Sequence, residues 1–304
     1  MRKFLLKLTK YGLLVLLLGN LIGWFGDFFL RRSSWFKPSF LVNNFKQEEK
    51  LDYFIIGSSR GLTSLNTIQI DNELKTNGVN LSMDDTDLKT HVLMTKHFFE
   101  YGYKSDFCVL TLDYSNFINS QQKLGDNDFK FSSFILDKNV RDHFNSYENH
   151  ILRPNFNSLY FPIIKYSYYN LQLVPSAMIS LIFPKKRYRF DEKGNYSYPT
   201  TGISNSTYKV LEIKSVQISN PLVDVIKNIC HKNGTKLIIY IAPYKNEKLN
   251  ILEPQNIINH SGLIQNTSLF FDDMHVNSLG RKAATEYFID EMKEQLVTTK
   301  PKKH

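Results

Sequence analysis

The chain has 304 residues, of which 42% are hydrophobic and 22% are charged, and its formal net charge is +9. This length supports one large domain with a substantial core, and the composition excludes a wholly disordered chain. Two cysteines, Cys108 and Cys230, are too few for a disulfide framework or a cysteine-rich zinc site. Both lie in apolar runs and are expected to be buried free thiols.

The N-terminal segment is predicted to anchor the chain in a membrane. Residues 11–26 carry no charge and the apolar character continues to Leu30, which matches the ~20 residues that cross a bilayer. Lysine and arginine flank the run on both sides, with a weak bias towards a cytoplasmic N-terminus. No small-residue cleavage site closes the run, so an uncleaved signal anchor is favoured over a removed signal peptide. The alternative is a buried core helix.

The expected organisation is a signal anchor over residues 1–30, a tether over 31–50 and one domain over 51–304. A single-pass anchor of this kind would place the domain on the extracytoplasmic side of the cell membrane. The positive charge suits an acidic membrane or polysaccharide surface. Because the basic residues are scattered and form no known motif, no nucleic-acid binding is expected.

Short apolar runs that end at turn residues predict the strands of this domain. They cover residues 52–56, 79–81, 107–112, 237–242 and 268–271. Continuous apolar runs are typical of strands that are covered on both faces. Helices are predicted between them: one capped by Thr86, one over 215–232 interrupted near Pro221, and a last one opened by Asn277 or Ser278. This alternation predicts an α/β fold, a three-layer α/β/α sandwich with a parallel central sheet.

An aromatic-rich stretch at about 120–212 interrupts the alternation of strands and helices. It is interpreted as an insertion that flanks the functional site, with a platform for carbohydrate or lipid left open, and residues 190–199 are predicted to form a hairpin turn. Ordinary helical packing is the alternative explanation for its tyrosines and phenylalanines.

The first candidate catalytic segment directly follows the first predicted strand. Its residues are Gly57, Ser58, Ser59, Arg60 and Gly61. A strand that runs into a small, tight turn and then a helix places a hydroxyl at the carboxyl edge of a sheet, where open α/β folds gather their sites. Backbone N–H groups of the turn can meet a substrate there. The alternative for Ser59 is a helix cap. Arg60 either binds an anionic substrate group or, as we favour, pairs with a surface carboxylate.

The second segment precedes the last predicted helix and carries Asp272 three residues before His275. One short loop could deliver both a base and the carboxylate that fixes its tautomer, leaving Nε2 free to take a serine proton. Asp273 is the second choice for the carboxylate. The alternatives are a surface histidine and an acidic residue that favours a helix N-terminus.

Together the two segments resemble the SGNH/GDSL hydrolase superfamily, with a nucleophilic serine after the first strand and an Asp-x-x-His motif near the C-terminus. The resemblance covers about residues 50–297, without the aromatic-rich stretch. It implies Ser59 as nucleophile, His275 as general base and Asp272 as its orienting partner. The anchored layout looks most like cell-envelope members that serve D-alanylation of lipoteichoic acid or O-acetylation of alginate.

In this family, a second and a third sequence block donate hydrogen bonds to the oxyanion, and the resemblance is weaker at both. Residues 80–85 hold no glycine, so the second block would offer the N–H of Asp85, and the third block offers Asn116 in a shifted setting. The oxyanion candidates are therefore Ser59, Asp85 and Asn116. Ser58 stands where the family usually has aspartate.

The resulting hypothesis is a membrane-anchored serine esterase or O-acyltransferase that acts on acyl esters of an envelope or exported polysaccharide. The alternative is a catalytically silent scaffold of the same fold that binds glycan or a membrane acyltransferase partner. No cofactor is expected, because a Walker loop and a dinucleotide glycine fingerprint are absent. No metal site is expected, because the histidines lack helical metal-ligand spacing.

Overall fold

A computed structural model describes residues 1–47, 49–118, 124–147, 161–201, 211–252 and 256–299. The chain forms two compact units, the first made of residues 1–45 and 128–188, the second of residues 46–127 and 189–304. The helices are α1 (Arg2–Arg31), α2 (Lys37–Asn44), α3 (Ser59–Ser64), α4 (Thr67–Leu74), α5 (Leu88–Glu100), α6 (Lys138–Asn145), α7 (Pro162–Tyr168), α8 (Asn170–Ile182), α9 (Pro221–Lys232) and α10 (Ser278–Thr299).

The second unit contains a parallel sheet in the order β2-β1-β3-β5-β7. The strands are β1 (Leu51–Ile56), β2 (Gly78–Asn80), β3 (Ser105–Thr111), β4 (Glu212–Gln217), β5 (Lys236–Ile241), β6 (Glu247–Leu252) and β7 (Ile257–Asn259). β4 and β6 pair separately as a two-stranded parallel sheet. The predicted α/β class with a parallel central sheet is confirmed.

Helices cover both faces of the central sheet because its strands are apolar on both sides. On one face, Tyr53 and Ile55 of β1 belong to a buried cluster with Phe288 and Met292 of α10. On the other face, Phe54 stacks on Phe98 of α5 with ring centroids 4.0 Å apart. The thiols of Cys108 and Cys230 are both buried and free, as predicted.

Three predicted elements are wrong in detail. Residues 268–271 contribute an isolated bridge between Phe270 and Val276, and β7 takes the edge position instead. The stretch predicted as one interrupted helix is β4 followed by α9, since Pro221 occupies the first turn of α9, where its missing N–H costs nothing. The cap of α5 is Asp87 rather than Thr86, because its carboxylate accepts from the backbone N–H groups of the first turn.

The first unit is built on the C-terminal part of α1. Residues 33–41 are buried beside it, so nearly half of the stretch expected to be a tether is packed structure. Leu30 and Trp35 cluster with Phe129, Tyr169 and Leu173. Phe129, Tyr166 and Tyr169 thus form a core with the N-terminal segment of the chain.

Two polar residues of α1 find partners in α7. The side-chain oxygen Oδ1 of Asn20 accepts from the backbone N–H of Ile163 at 3.3 Å. The side-chain Nδ2 of Asn20 donates to the backbone carbonyl of Leu16 at 2.8 Å. The Asp27 carboxylate receives the Lys165 ammonium at 2.6 and 2.7 Å. Lys165 is fully buried, and this pairing is how proteins accommodate ionisable groups in an apolar setting.

Residues 190–199 lie in the second unit and form a turned loop rather than a hairpin. Asp191 N–H donates to the Asn195 carbonyl at 3.0 Å, and Gly194 takes the left-handed conformation that the tight turn requires. The loop continues to Tyr198, which forms a parallel bridge with Asn277. It therefore reaches the segment before α10.

Candidate active site

Ser59 is the first residue of α3, directly after the turn that ends β1. Gly57 and Gly61 flank the turn because a Cβ at either would lie within 2.8 Å of Thr111 or Ser82. Ser58 caps α3, its hydroxyl accepting from Arg60 N–H at 3.3 Å. Within residues 57–61, Ser59 alone is partly exposed and the others are buried. The local structure thus presents one hydroxyl to solvent.

A closed loop between residues 271 and 275 holds Asp272 and His275. Phe271 N–H donates to the His275 carbonyl at 2.8 Å. The Asp272 carboxylate accepts from the backbone N–H groups of Met274 and His275, both at 2.7 Å. This local bonding is typical of aspartate in turns, and it fixes the carboxylate relative to the imidazole.

The structure brings Ser59, His275 and Asp272 into one hydrogen-bonded chain. His275 Nε2 is 2.8 Å from Ser59 Oγ, and Nδ1 is 2.8 Å from Asp272 Oδ2. A carboxylate can only accept, so Nδ1 carries the proton and Nε2 is the acceptor for the serine hydroxyl. The imidazole can therefore remove the serine proton, and the carboxylate stabilises the imidazolium that results.

The Asp272 carboxylate is held in its ionised form. Partial burial raises its pKa, but the hydrogen bonds from His275 and Met274 outweigh burial, and the pKa lies below its usual range. Asp273, the second choice, is directed elsewhere: it is 85% exposed and receives the Lys245 ammonium at 2.8 Å. The geometry therefore selects Asp272 as the partner of the imidazole.

Arg60 faces the interior, which corrects the expectation that it binds substrate. Its side chain is 1% exposed and its Nε lies 3.2 Å from Asp113 Oδ1. Nη2 donates to the carbonyls of Ala242 and Pro243 at 2.7 and 2.9 Å, and the guanidinium lies 3.4 Å from the centre of the Tyr244 ring. Arg60 thus pairs with a carboxylate, as the favoured alternative predicted, but in the interior rather than at the surface.

Asp113 links the serine turn to the end of β3. Its second carboxylate oxygen accepts a short hydrogen bond from the Ser58 hydroxyl, so it holds the residues on both sides of Ser59. Asp113 comes two residues after β3, and Tyr244 follows β5. The carboxyl ends of β1, β3 and β5 therefore meet beneath the candidate nucleophile, as expected for a site in a parallel sheet. Asp113 was not predicted from the sequence, although its place after a buried strand was a usable signal.

The three predicted oxyanion donors have different settings. The Ser59 N–H lies in the first turn of α3, where amides have no intrahelical carbonyl. Asp85 is exposed and has φ of +50°, a conformation that glycine adopts more readily. Asn116 is buried, and its carbonyl oxygen accepts from Asp113 N–H at 3.0 Å, leaving its NH2 group as the part that can donate. Their roles stay predictions.

Tyr198 is a further residue at the site that sequence analysis did not single out. Its ring centre lies 5.1 Å from that of His275 and stacks on Phe271 at 4.4 Å. Burial raises the pKa of the Tyr198 phenol, and the neighbouring Asp272 adds to this, so the hydroxyl remains protonated. The ring covers one side of the imidazole. Within the described residues, no group of three or more His, Cys, Asp or Glu side chains could hold a metal ion.

Comparisons with known proteins give little beyond this geometry. No family model matches the sequence, and no curated protein matches it. Among solved structures, the chain is similar to a carbohydrate esterase family 2 enzyme with a carbohydrate-binding domain from Corynascus thermopiles (Myceliophthora fergusii). The TM-score is 0.29 and the identity 11%, with 82% of this chain and 67% of that chain covered.

Proposed function

We propose that the chain is a serine esterase or O-acyltransferase of SGNH type. The observation that carries this proposal is the chain of hydrogen bonds from Ser59 through His275 to Asp272. The imidazole takes the hydroxyl proton, Ser59 Oγ attacks an ester carbonyl, and the alcohol leaves with the proton from His275. The acyl-serine then passes its acyl group to water or to a sugar hydroxyl. Ser59 N–H, Asp85 N–H and the Asn116 amide would stabilise the oxyanion.

We further propose that α1 is a single-pass anchor and that the acyl esters belong to an envelope or exported polysaccharide. Among the helices described, α1 is the one that is long and apolar enough to cross a membrane. Most of its side chains between residues 1 and 19 are exposed and apolar, with basic residues at the N-terminal end. The choice of polysaccharide, and of the extracytoplasmic side, rests on the sequence resemblance to anchored envelope proteins.

A fluorophosphonate probe separates the enzyme from a silent scaffold that binds glycan or a membrane acyltransferase. We expect covalent labelling of the full chain, because the probe reacts with a serine that a neighbouring base activates. Labelling should disappear in Ser59→Ala and persist in Ser215→Ala, whose serine is exposed on β4. Equal labelling of both variants would contradict the proposed enzymatic role of Ser59. An absence of labelling in the unmodified chain would contradict it as well.

The contact between Tyr198 and the imidazole predicts a second result. Tyr198→Ala should lower kcat for a chromogenic acetyl ester about 10- to 100-fold, because the imidazole loses the ring that confines it. Tyr198→Phe should retain most of the activity, since the ring contact remains. An equal loss in both variants would show that the hydroxyl, rather than the ring, is required.

A further inference from the structure

Helix α8 has an unusual distribution of polarity. The side chains it buries are Leu173, Ser176, Ala177 and Ser180. The large apolar side chains it exposes, together with the residue after it, are Leu171, Val174, Met178, Leu181, Ile182 and Phe183. The polar Asn170 and Gln172, in its first turn, are exposed as well. Leu171 is 83% exposed and Met178 60%. A helix at a water-exposed surface normally turns its large apolar side chains inward, whereas most of those of α8 face outward.

The buried face of α8 makes hydrogen bonds. Trp35 Nε1 donates to Ser176 Oγ at 2.9 Å, and Ser180 Oγ donates to Ser33 Oγ at 3.0 Å. Apart from Leu173, the inward-facing residues are small or hydroxyl-bearing. Small and hydroxyl-bearing residues at a helix contact are characteristic of helices that pack within a membrane.

The neighbouring contact between α1 and α7 follows the same pattern. Gly19, Gly23 and Gly26 of α1 leave room for Ile163, Pro162 and Tyr166, whose side chains would lie within 3.0 Å of an added Cβ. The first unit therefore packs through small residues and buries its paired charges.

The basic residues after α8 and the length of the helix indicate what covers its outer face. Lys185 and Lys186 follow the helix directly and border an open groove of about 580 Å³ that Ile182 and Phe183 also line. Lysines beside an apolar face complement a surface of anionic lipid headgroups. The 13 residues of α8 are too few to cross a bilayer. α8 packs on residues 30–35, at the C-terminal end of the helix proposed to span it.

From these observations we infer that α8 is an interfacial membrane helix. Its outer face inserts into the leaflet that surrounds the C-terminal end of α1. The inference rests on the proposed anchoring by α1 but not on the esterase activity. The first unit would then contact the membrane through two helices, with α1 crossing the bilayer and α8 lying along its surface.

Lipid quenching of site-specific fluorophores tests this inference on the full chain. The two native cysteines are buried, so a cysteine-reactive fluorophore can be placed by Met178→Cys or Leu181→Cys on α8. Leu14→Cys on α1 reports the anchor, and Val225→Cys on the exposed face of α9 is the matched control. The protein is reconstituted into vesicles of phosphatidylcholine and phosphatidylglycerol that contain nitroxide-labelled acyl chains.

We expect the Met178 and Leu181 positions to lose about half of their emission, because an interfacial helix buries its apolar face about 5–10 Å into the acyl boundary. Leu14 should be quenched as well and Val225 should not. Quenching at Leu14 without quenching at either α8 position would overturn the inference and leave the anchor intact. Access of aqueous iodide to α8 under those conditions would point to a face that awaits a protein partner. No quenching at Leu14 would overturn the anchor itself.

Discussion

Ser59→Ala and His275→Ala are each expected to lower kcat for a small chromogenic acetyl ester by about 10⁴-fold or more. The physical reason is that the hydroxyl and the imidazole act as one unit, since Nε2 lies 2.8 Å from Oγ. The double variant should be hardly slower than either single variant. The measurement is steady-state hydrolysis with purified full chain, and folding is checked by the unfolding midpoint. A hydrolysis rate close to that of the unmodified chain in either variant would rule out the proposed triad.

The adjacent aspartates supply an internal control for this prediction. Asp272→Asn should reduce kcat by about 10³- to 10⁴-fold, because the amide favours the wrong imidazole tautomer. Asp273→Asn should leave kcat unchanged, because Asp273 contacts Lys245 and is largely exposed. The reverse ranking would show that the carboxylate has been assigned to the wrong residue.

Asp113→Leu is expected to lower the free energy of unfolding by about 3–5 kcal/mol, because it leaves the charge of Arg60 buried without a counterion. Arg60 is 1% exposed and Nε lies 3.2 Å from Asp113 Oδ1. The same change frees the Ser58 hydroxyl, so the turn that carries Ser59 should become less ordered and kcat should fall. Chemical denaturation of the detergent-solubilised chain measures the first effect and ester hydrolysis the second.

The paired replacement distinguishes a positioning role from a purely structural one. Arg60→Met combined with Asp113→Leu should recover much of the lost stability, since well-packed apolar residues often replace a buried ion pair without cost. The activity should stay low, because the Ser58–Asp113 bond that holds the serine turn is still absent. If activity returned together with stability, Asp113 would be only a structural partner of Arg60.

The positions of the catalytic candidates could be predicted because each lies next to a strong local signal. Ser59 follows a buried strand and a tight turn, and Asp272 and His275 share one short loop. The place of Asp113 after a buried strand was a usable signal, but its partners Ser58 and Arg60 are distant in sequence. Tyr198 escaped prediction because its importance comes from a contact with a loop that is also distant in sequence. Spacing along the chain carries no direct trace of such contacts.

The central sheet was predictable, whereas the first unit was predictable only in its N-terminal helix. Continuous apolar runs identified β1, β3 and β5 to within two residues at each end, and a short run located β2. The edge strand β7 is only three residues long, too short for a periodic signal. Residues 128–188 looked like an insertion because their partners, residues 1–45, come much earlier in the chain. The apolar α8 carries no sequence mark that separates a core helix from a lipid-facing one.

The ion pair between Asp27 and Lys165 has a consequence for biogenesis, since 138 residues separate the two partners. At about 5–20 residues per second, a ribosome needs roughly 7–28 s to make that length of chain. Throughout this interval the carboxylate has no ammonium to neutralise it. Until α7 is made, the Asp27 carboxyl must stay near water or take up a proton. The packing of α7 on α1 is therefore completed only after the middle of the chain is translated.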